Sequence, residues 1–149
     1  MQPLITIIKQ DWLYLSLILL IALILRLDLL VASNFAIESD EAIVGLMAKH
    51  ITEGHPWPIF YYGQHYMGSL EPILISFLSL FIGLENYTLK IVPLIFSLSL
   101  ILITYLTAYE VSNKLGARLA GILVAIPPLT LVVWSTKARG GFIEVVVLG

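Results

Sequence analysis

Long uncharged apolar runs constrain this chain more than any other feature of its sequence. Ile91 to Tyr109 passes without a charge, and so does Leu119 to Thr136. Trp12 to Leu25 does the same until Arg26 and Asp28 interrupt an apolar character that resumes through Ile37. A helix needs roughly 20 apolar residues to cross the hydrocarbon of a bilayer, so the three stretches read as transmembrane helices. Of 149 residues, 59% are hydrophobic and 12% charged, against about a quarter charged in an ordinary soluble domain. A water-soluble fold of this size could not hide so much apolar surface, and the solvent implied is lipid. The net charge of −2 comes without any basic tract, which speaks against a nucleic-acid partner. The absence of cysteine removes disulfides and thiolate metal sites.

The expected class is therefore an all-α integral membrane fold, with about three transmembrane helices and two interfacial helices in a first external loop over about 34–90. The first span reads as an uncleaved anchor rather than a signal peptide. Its apolar core is too long, and Arg26 and Asp28 sit where a cleavage signal would not place them. Pro127-Pro128 should bend or break the third span, which bilayers tolerate when neighbouring groups satisfy the freed carbonyls. Val145-Val146-Val147-Leu148-Gly149 starts a fourth apolar run that stops at once. The expectation is that residues 1–149 are the amino-terminal part of a longer polytopic domain, inactive alone.

Pro72 to Leu84, between Glu71 and Glu85, is too short for an ordinary crossing and suits an interfacial helix. If it lies on the membrane, Lys114 and Arg118 return to the side of the N-terminus, and Lys137 and Arg139 join the 34–90 region. If it crosses, those assignments reverse. The distribution of Lys and Arg does not decide; segment length favours the first arrangement.

The polar loop carries the unusual residues. A helix is predicted from Ser39-Asp40-Glu41 to about Glu53, with Ser39 or Asp40 as its cap and acidic residues in its first turn. Ile43, Leu46, Met47 and Ile51 form its apolar face. Asp40 is either such a cap, worth about 1 kcal/mol, or a carboxylate that binds a divalent cation or accepts a proton. Trp57, Tyr61, Tyr62 and Tyr66 have the amphipathic rings favoured at headgroup depth. Gly63 and Gly68 flank Gln64-His65-Tyr66-Met67, a turn that needs backbone freedom. His50, His55 and His65 do not have zinc-motif spacing.

After the third span, Lys137 and Arg139 either snorkel to the interface or, with Gly140-Gly141, grip a lipid phosphate. Glu144, entering an apolar run, should face a protein interior or a wet cavity. Arg26 and Asp28 cannot face each other on a helix, so each needs another partner.

An arginine-bearing first span, then Asp40-Glu41-Ala42, an interfacial helix, Tyr62-Gly63-Gln64-His65-Tyr66-Met67-Gly68-Ser69-Leu70-Glu71, a short apolar helix and paired spans follow one another in an order that resembles the GT-C membrane glycosyltransferases. The likeness is to their protein mannosyltransferase and aminoarabinose transferase relatives, glycosyltransferase family 39. It covers essentially all 149 residues, about the first third of such an enzyme. The resemblance implies that Asp40 is the catalytic acidic residue with Glu41 beside it, and that 71–84 is interfacial. Ser135 to Glu144 is similar to a stretch of oligosaccharyltransferase catalytic subunits that reads Ser-Arg-Ser, then Gly-Ser-Tyr-Asp-Asn-Glu. It departs from that pattern at Ile143, which stands where the pattern has Asp and leaves only Glu144.

What the resemblance implies is transfer of a sugar from a polyprenyl-phosphate donor to a lipid, glycan or protein acceptor, at the extracytoplasmic face of a multi-pass protein of the cell membrane. Asp40 would engage the acceptor hydroxyl. Lys137 and Arg139 would stabilise the departing phosphate, with Gln64, Tyr66 and Glu144 completing the substrate site. A divalent cation is compatible with it. The rivals are a transporter or flippase, which also uses broken helices and intramembrane charge, and a truncated, non-catalytic relative.

Overall fold

The computed structural model describes residues 4–148, and the chain is mostly helical, at 73%. A short helix α1 (Leu4–Gln10) turns at Asp11 into α2 (Trp12–Ala32), and α5 (Asn86–Val111) runs antiparallel beside it. These two are long and apolar enough to cross a membrane. Their 21 and 26 residues span roughly 30 and 40 Å at 1.5 Å per residue. The buried positions of α2, Leu15, Ile18, Ala22, Arg26 and Leu30, recur at helical spacing. Leu13, Leu17, Leu20 and Ile24 on its other side are exposed. Only 28% of the α2 span and 33% of the α5 span is buried, unlike a core helix wrapped by protein.

The first span ends sooner than the sequence suggests, at Ala32 rather than Ile37. Asn34 and Phe35 adopt left-handed φ of 50° and 52°, which no helix can continue. The chain then enters α3 (Ser39–Thr52), close to the expected bounds. Its cap is neither Ser39 nor Asp40. Glu38 takes that position, and Glu41 reaches back to accept the Glu38 amide at 3.1 Å, the reciprocal arrangement of a capping box. The buried stripe is Glu41, Val44, Met47 and Ala48, so the expected apolar face is rotated and Leu46 is left exposed. Gly45 allows this, because its bare Cα lets Leu89 of α5 come close.

The all-α expectation needs one addition. β1 (Phe60–Tyr61) and β2 (Gln64–Gly68) form a two-stranded antiparallel hairpin. Gly63 turns it at a φ of 79°, which glycine adopts without strain. The interfacial segment appears as α4 (Leu70–Ile82), 13 residues or about 20 Å, short of the roughly 30 Å hydrocarbon core.

The expected third continuous span is not present. α6 (Lys114–Ala125) stops, residues 126–128 are non-helical, and α7 (Leu129–Trp134) restarts. Prolines lack the N–H that would have reached back four residues, so Pro128 leaves the Val124 carbonyl without its helical donor. Arg26 takes it over. The buried guanidinium donates to Val124 O at 3.5 Å, Ala125 O at 3.1 Å, Ala22 O at 3.2 Å and Ser97 Oγ at 2.6 Å. It therefore sits as a cation at the negative end of α6, and the sought-for partner of Arg26 is a helix terminus. Asp28 stays exposed. A last helix, α8 (Phe142–Leu148), follows Gly140 and Gly141.

The two ends of the bundle are chemically distinct. At one, Asp11 accepts from Arg118 Nε at 2.9 Å and Tyr105 Oη at 2.7 Å, and pairs with Lys114 at 2.9 Å. Two cations hold its carboxyl well below the usual range, Arg118 most strongly. At the other end lie α3, the hairpin, both ends of α4 and residues 137–141.

Candidate functional site

The second end has a core of its own, formed by Val44, Met47, Tyr61, Ile75, Leu89 and Ala138. Charged groups are threaded through it. Glu41, fully buried, pairs with Lys90 of α5 and accepts the Ala138 amide at 3.1 Å. One carboxylate thus joins α3, α5 and the segment after α7, while still closing the α3 cap. Its oxygens are committed, which gives Glu41 a holding role rather than a free one.

Its neighbour Asp40 differs. The carboxylate is exposed and has no hydrogen-bond or ion-pair partner among the described residues. Its backbone is fixed, since Tyr61 Oη donates to the Asp40 carbonyl at 2.8 Å. Burial, reinforced by Asp40 and Glu71, pushes the Tyr61 phenol up to about 12. Asp40 is thus an unpartnered side chain on a tethered turn.

Lys137 and Arg139 both grip Glu38, two residues before Asp40. The paired cations, Lys137 first, hold the Glu38 carboxyl below its ordinary range. Arg139 also lies over the Trp134 ring at 4.4 Å. Gly140 must be glycine here. Its φ is 74°, and a Cβ would fall 2.6 Å from Tyr61 and 2.9 Å from Met67. The structure places Glu38 against both cations of the expected basic pair.

The remaining candidates divide. Tyr66 and Glu144 line one apolar cleft of about 690 Å³, with Leu70, Phe142 and Val145. Gln64 stands half-buried on the hairpin outside that lining. Glu144 itself is buried, as its place in an apolar run requires. Glu38, Lys90 and Glu71 are participants that sequence reasoning passes over. Glu38 stands three residues before Glu41, the capping-box interval; Glu71 opens an apolar helix, as Glu144 does. Burial pushes the Glu71 carboxyl up, and the nearby Glu144 adds to the shift. Among the described residues, no three His, Asp or Glu side chains converge as a metal-binding group.

The class this defines is a mostly helical chain with two helices fit to cross a membrane and an acid–base cluster at one end of the bundle. In comparisons with known proteins, no family model, curated protein or solved structure matched the chain.

Proposed function

We propose that the chain is part of a multi-pass cell-membrane glycosyltransferase of GT-C type, which moves a sugar from a polyprenyl-phosphate donor to an acceptor at the extracytoplasmic face. One observation carries the reading: the acidic turn 38–41 and the basic segment 137–139 meet at the same end of the bundle, through Glu38 and through the Glu41–Ala138 bond. The largely unburied faces of α2 and α5 support a lipid surrounding, because water-soluble monomers rarely expose apolar patches of that extent.

In this reading Asp40 takes the proton of the acceptor hydroxyl, or orients it, from a turn fixed by Tyr61 and Glu41. Lys137 and Arg139 face the donor phosphate. Glu38, exposed, keeps the two cations together until a phosphate displaces it. Negative charge grows on that phosphate as the glycosidic bond breaks, and cations already in place favour the transition state. The cleft beside Tyr66 and Glu144 receives apolar parts of the substrates, with Gln64 at its approach. The test is Asp40→Asn in the enzyme, reconstituted with a panel of polyprenyl-phosphate-linked sugars. Transfer should vanish while expression is unchanged; retained turnover removes Asp40 from the mechanism.

A transporter or flippase is the second reading, favoured by the α6–α7 break and the buried Arg26 beside it. The same vesicles separate the two. Glycosylated acceptor supports the transferase, whereas lipid-linked sugar moved across the bilayer without product supports the flippase.

A further inference from the structure

The start of α4 meets the start of α8 through two carboxyls. Glu71 is 1% exposed and Glu144 2%, and both flank the same turn, since the Gly140 amide that bonds Glu71 lies four residues before Glu144, so each carboxyl perturbs the other. Glu71 Oε2 accepts the Gly140 amide at 2.6 Å. Glu71 Oε1 and both oxygens of Glu144 have no partner when the two are drawn as carboxylates.

Among the described residues, no cation forms an ion pair with either carboxyl. From β1, Tyr61 is committed to the Asp40 carbonyl. Arg139, in the segment before α8, bonds Glu38 through Nη2 while its buried Nε has no partner among the described residues. From α3 and α5, Glu41 and Lys90 are committed to each other. Tyr66 of β2 is exposed. Two adjacent charges without a counter-ion are strongly disfavoured in an apolar surrounding, whereas one proton between them makes a charge-assisted hydrogen bond.

We propose that Glu71 and Glu144 bind one proton between them, and that this shared proton clamps α8 against α4 and holds the adjoining apolar cleft at its observed width. Releasing it to solvent takes the pair from one negative charge to two, and the repulsion acts across the two helices. The hinge is at hand in Gly141, just before α8, with a φ of 115° and open space about its Cα. Glu144 and Val145 of α8 form one wall of the cleft and Tyr66 of β2 the other. The device does not depend on the transferase reading.

The chain has no cysteine, so spin labels at Tyr66→Cys and Val145→Cys report the width of the cleft in detergent or nanodiscs. The label-to-label distance should lengthen as the pH is raised from 6 to 10, with helix content by circular dichroism unchanged. In Glu144→Gln, whose amide donates without titrating, the distance should stay short throughout; Glu71→Gln should behave alike if either variant folds poorly. A distance independent of pH in the parent, the same lengthening in a folded Gln variant, or lengthening that tracks loss of helix would each overturn the proposal.

Discussion

Glu41 and Lys90 form an ion pair in which both side chains are buried, one on α3 and the other on α5. The pair ties the turn bearing Asp40 to a long helix. Such a pair adds little over a well-packed apolar substitute, but removing one partner strands a charge at a cost of about 3–5 kcal/mol. Lys90→Ala should therefore lower the thermal midpoint sharply in detergent. Glu41→Gln combined with Lys90→Met should recover most of the loss. A Lys90→Ala protein with parental stability would remove the pair from the account.

Arg26 offers a second test. Replaced by Met, it leaves the Val124 and Ala125 carbonyls facing apolar side chains, at about 1–3 kcal/mol for each unsatisfied buried group. Arg26→Lys should recover part of this, because an ammonium can reach one or two acceptors but not four. Thermal melts of the three proteins should rank parent, Lys, Met.

Gly140→Ala combines two penalties. The left-handed backbone costs a non-glycine residue about 1–2 kcal/mol, and the new methyl presses on Tyr61 and Met67. Stability should fall by at least that amount. The Tyr61 hydroxyl should also lose its hold on Asp40, so transfer should drop further than the melting temperature alone explains. Equal activity per folded molecule would contradict this.

Glu38 sets an acid limb. Its carboxyl lies below its ordinary value of 4.5 in the fold, through hydrogen bonds from Lys137 first and then Arg139. A lowered folded value contributes stability above the ordinary carboxylate range, lost as pH falls through the folded value. Melting temperature should fall on acidification below about pH 4.5, a limb drawn from the ordinary glutamate range. In Glu38→Gln that limb should shrink, leaving the part due to Asp11 and the rest.

The elements bracketed by charge or glycine were legible in the sequence. Gly83 ends α4, Glu85 caps α5, and Gly54 follows the end of α3. The break at Pro127-Pro128 follows from chain chemistry alone. What periodicity cannot carry is pairing at long range. Nothing near Lys137 names Glu38, and nothing near Glu144 names Glu71; those contacts exist only once α2 and α5 have placed the ends. The hairpin escaped for a different reason: Tyr61 and Tyr66 read equally well as interfacial anchors, and β1 is two residues long.

The transferase reading requires the Asp40 turn and the Lys137–Arg139 segment to share a membrane face. Single cysteines at His65, Asn86 and Asn113, treated in oriented vesicles with a membrane-impermeant maleimide, test this directly. Positions 65 and 86 should label from one side and 113 from the other, since α4 begins and ends at the Asp40 end while Asn113 adjoins Lys114 at the Asp11 end. Labelling of 86 from the side opposite to 65, with 113 now labelling together with 65, would place α4 across the bilayer and part the acidic turn from the basic segment.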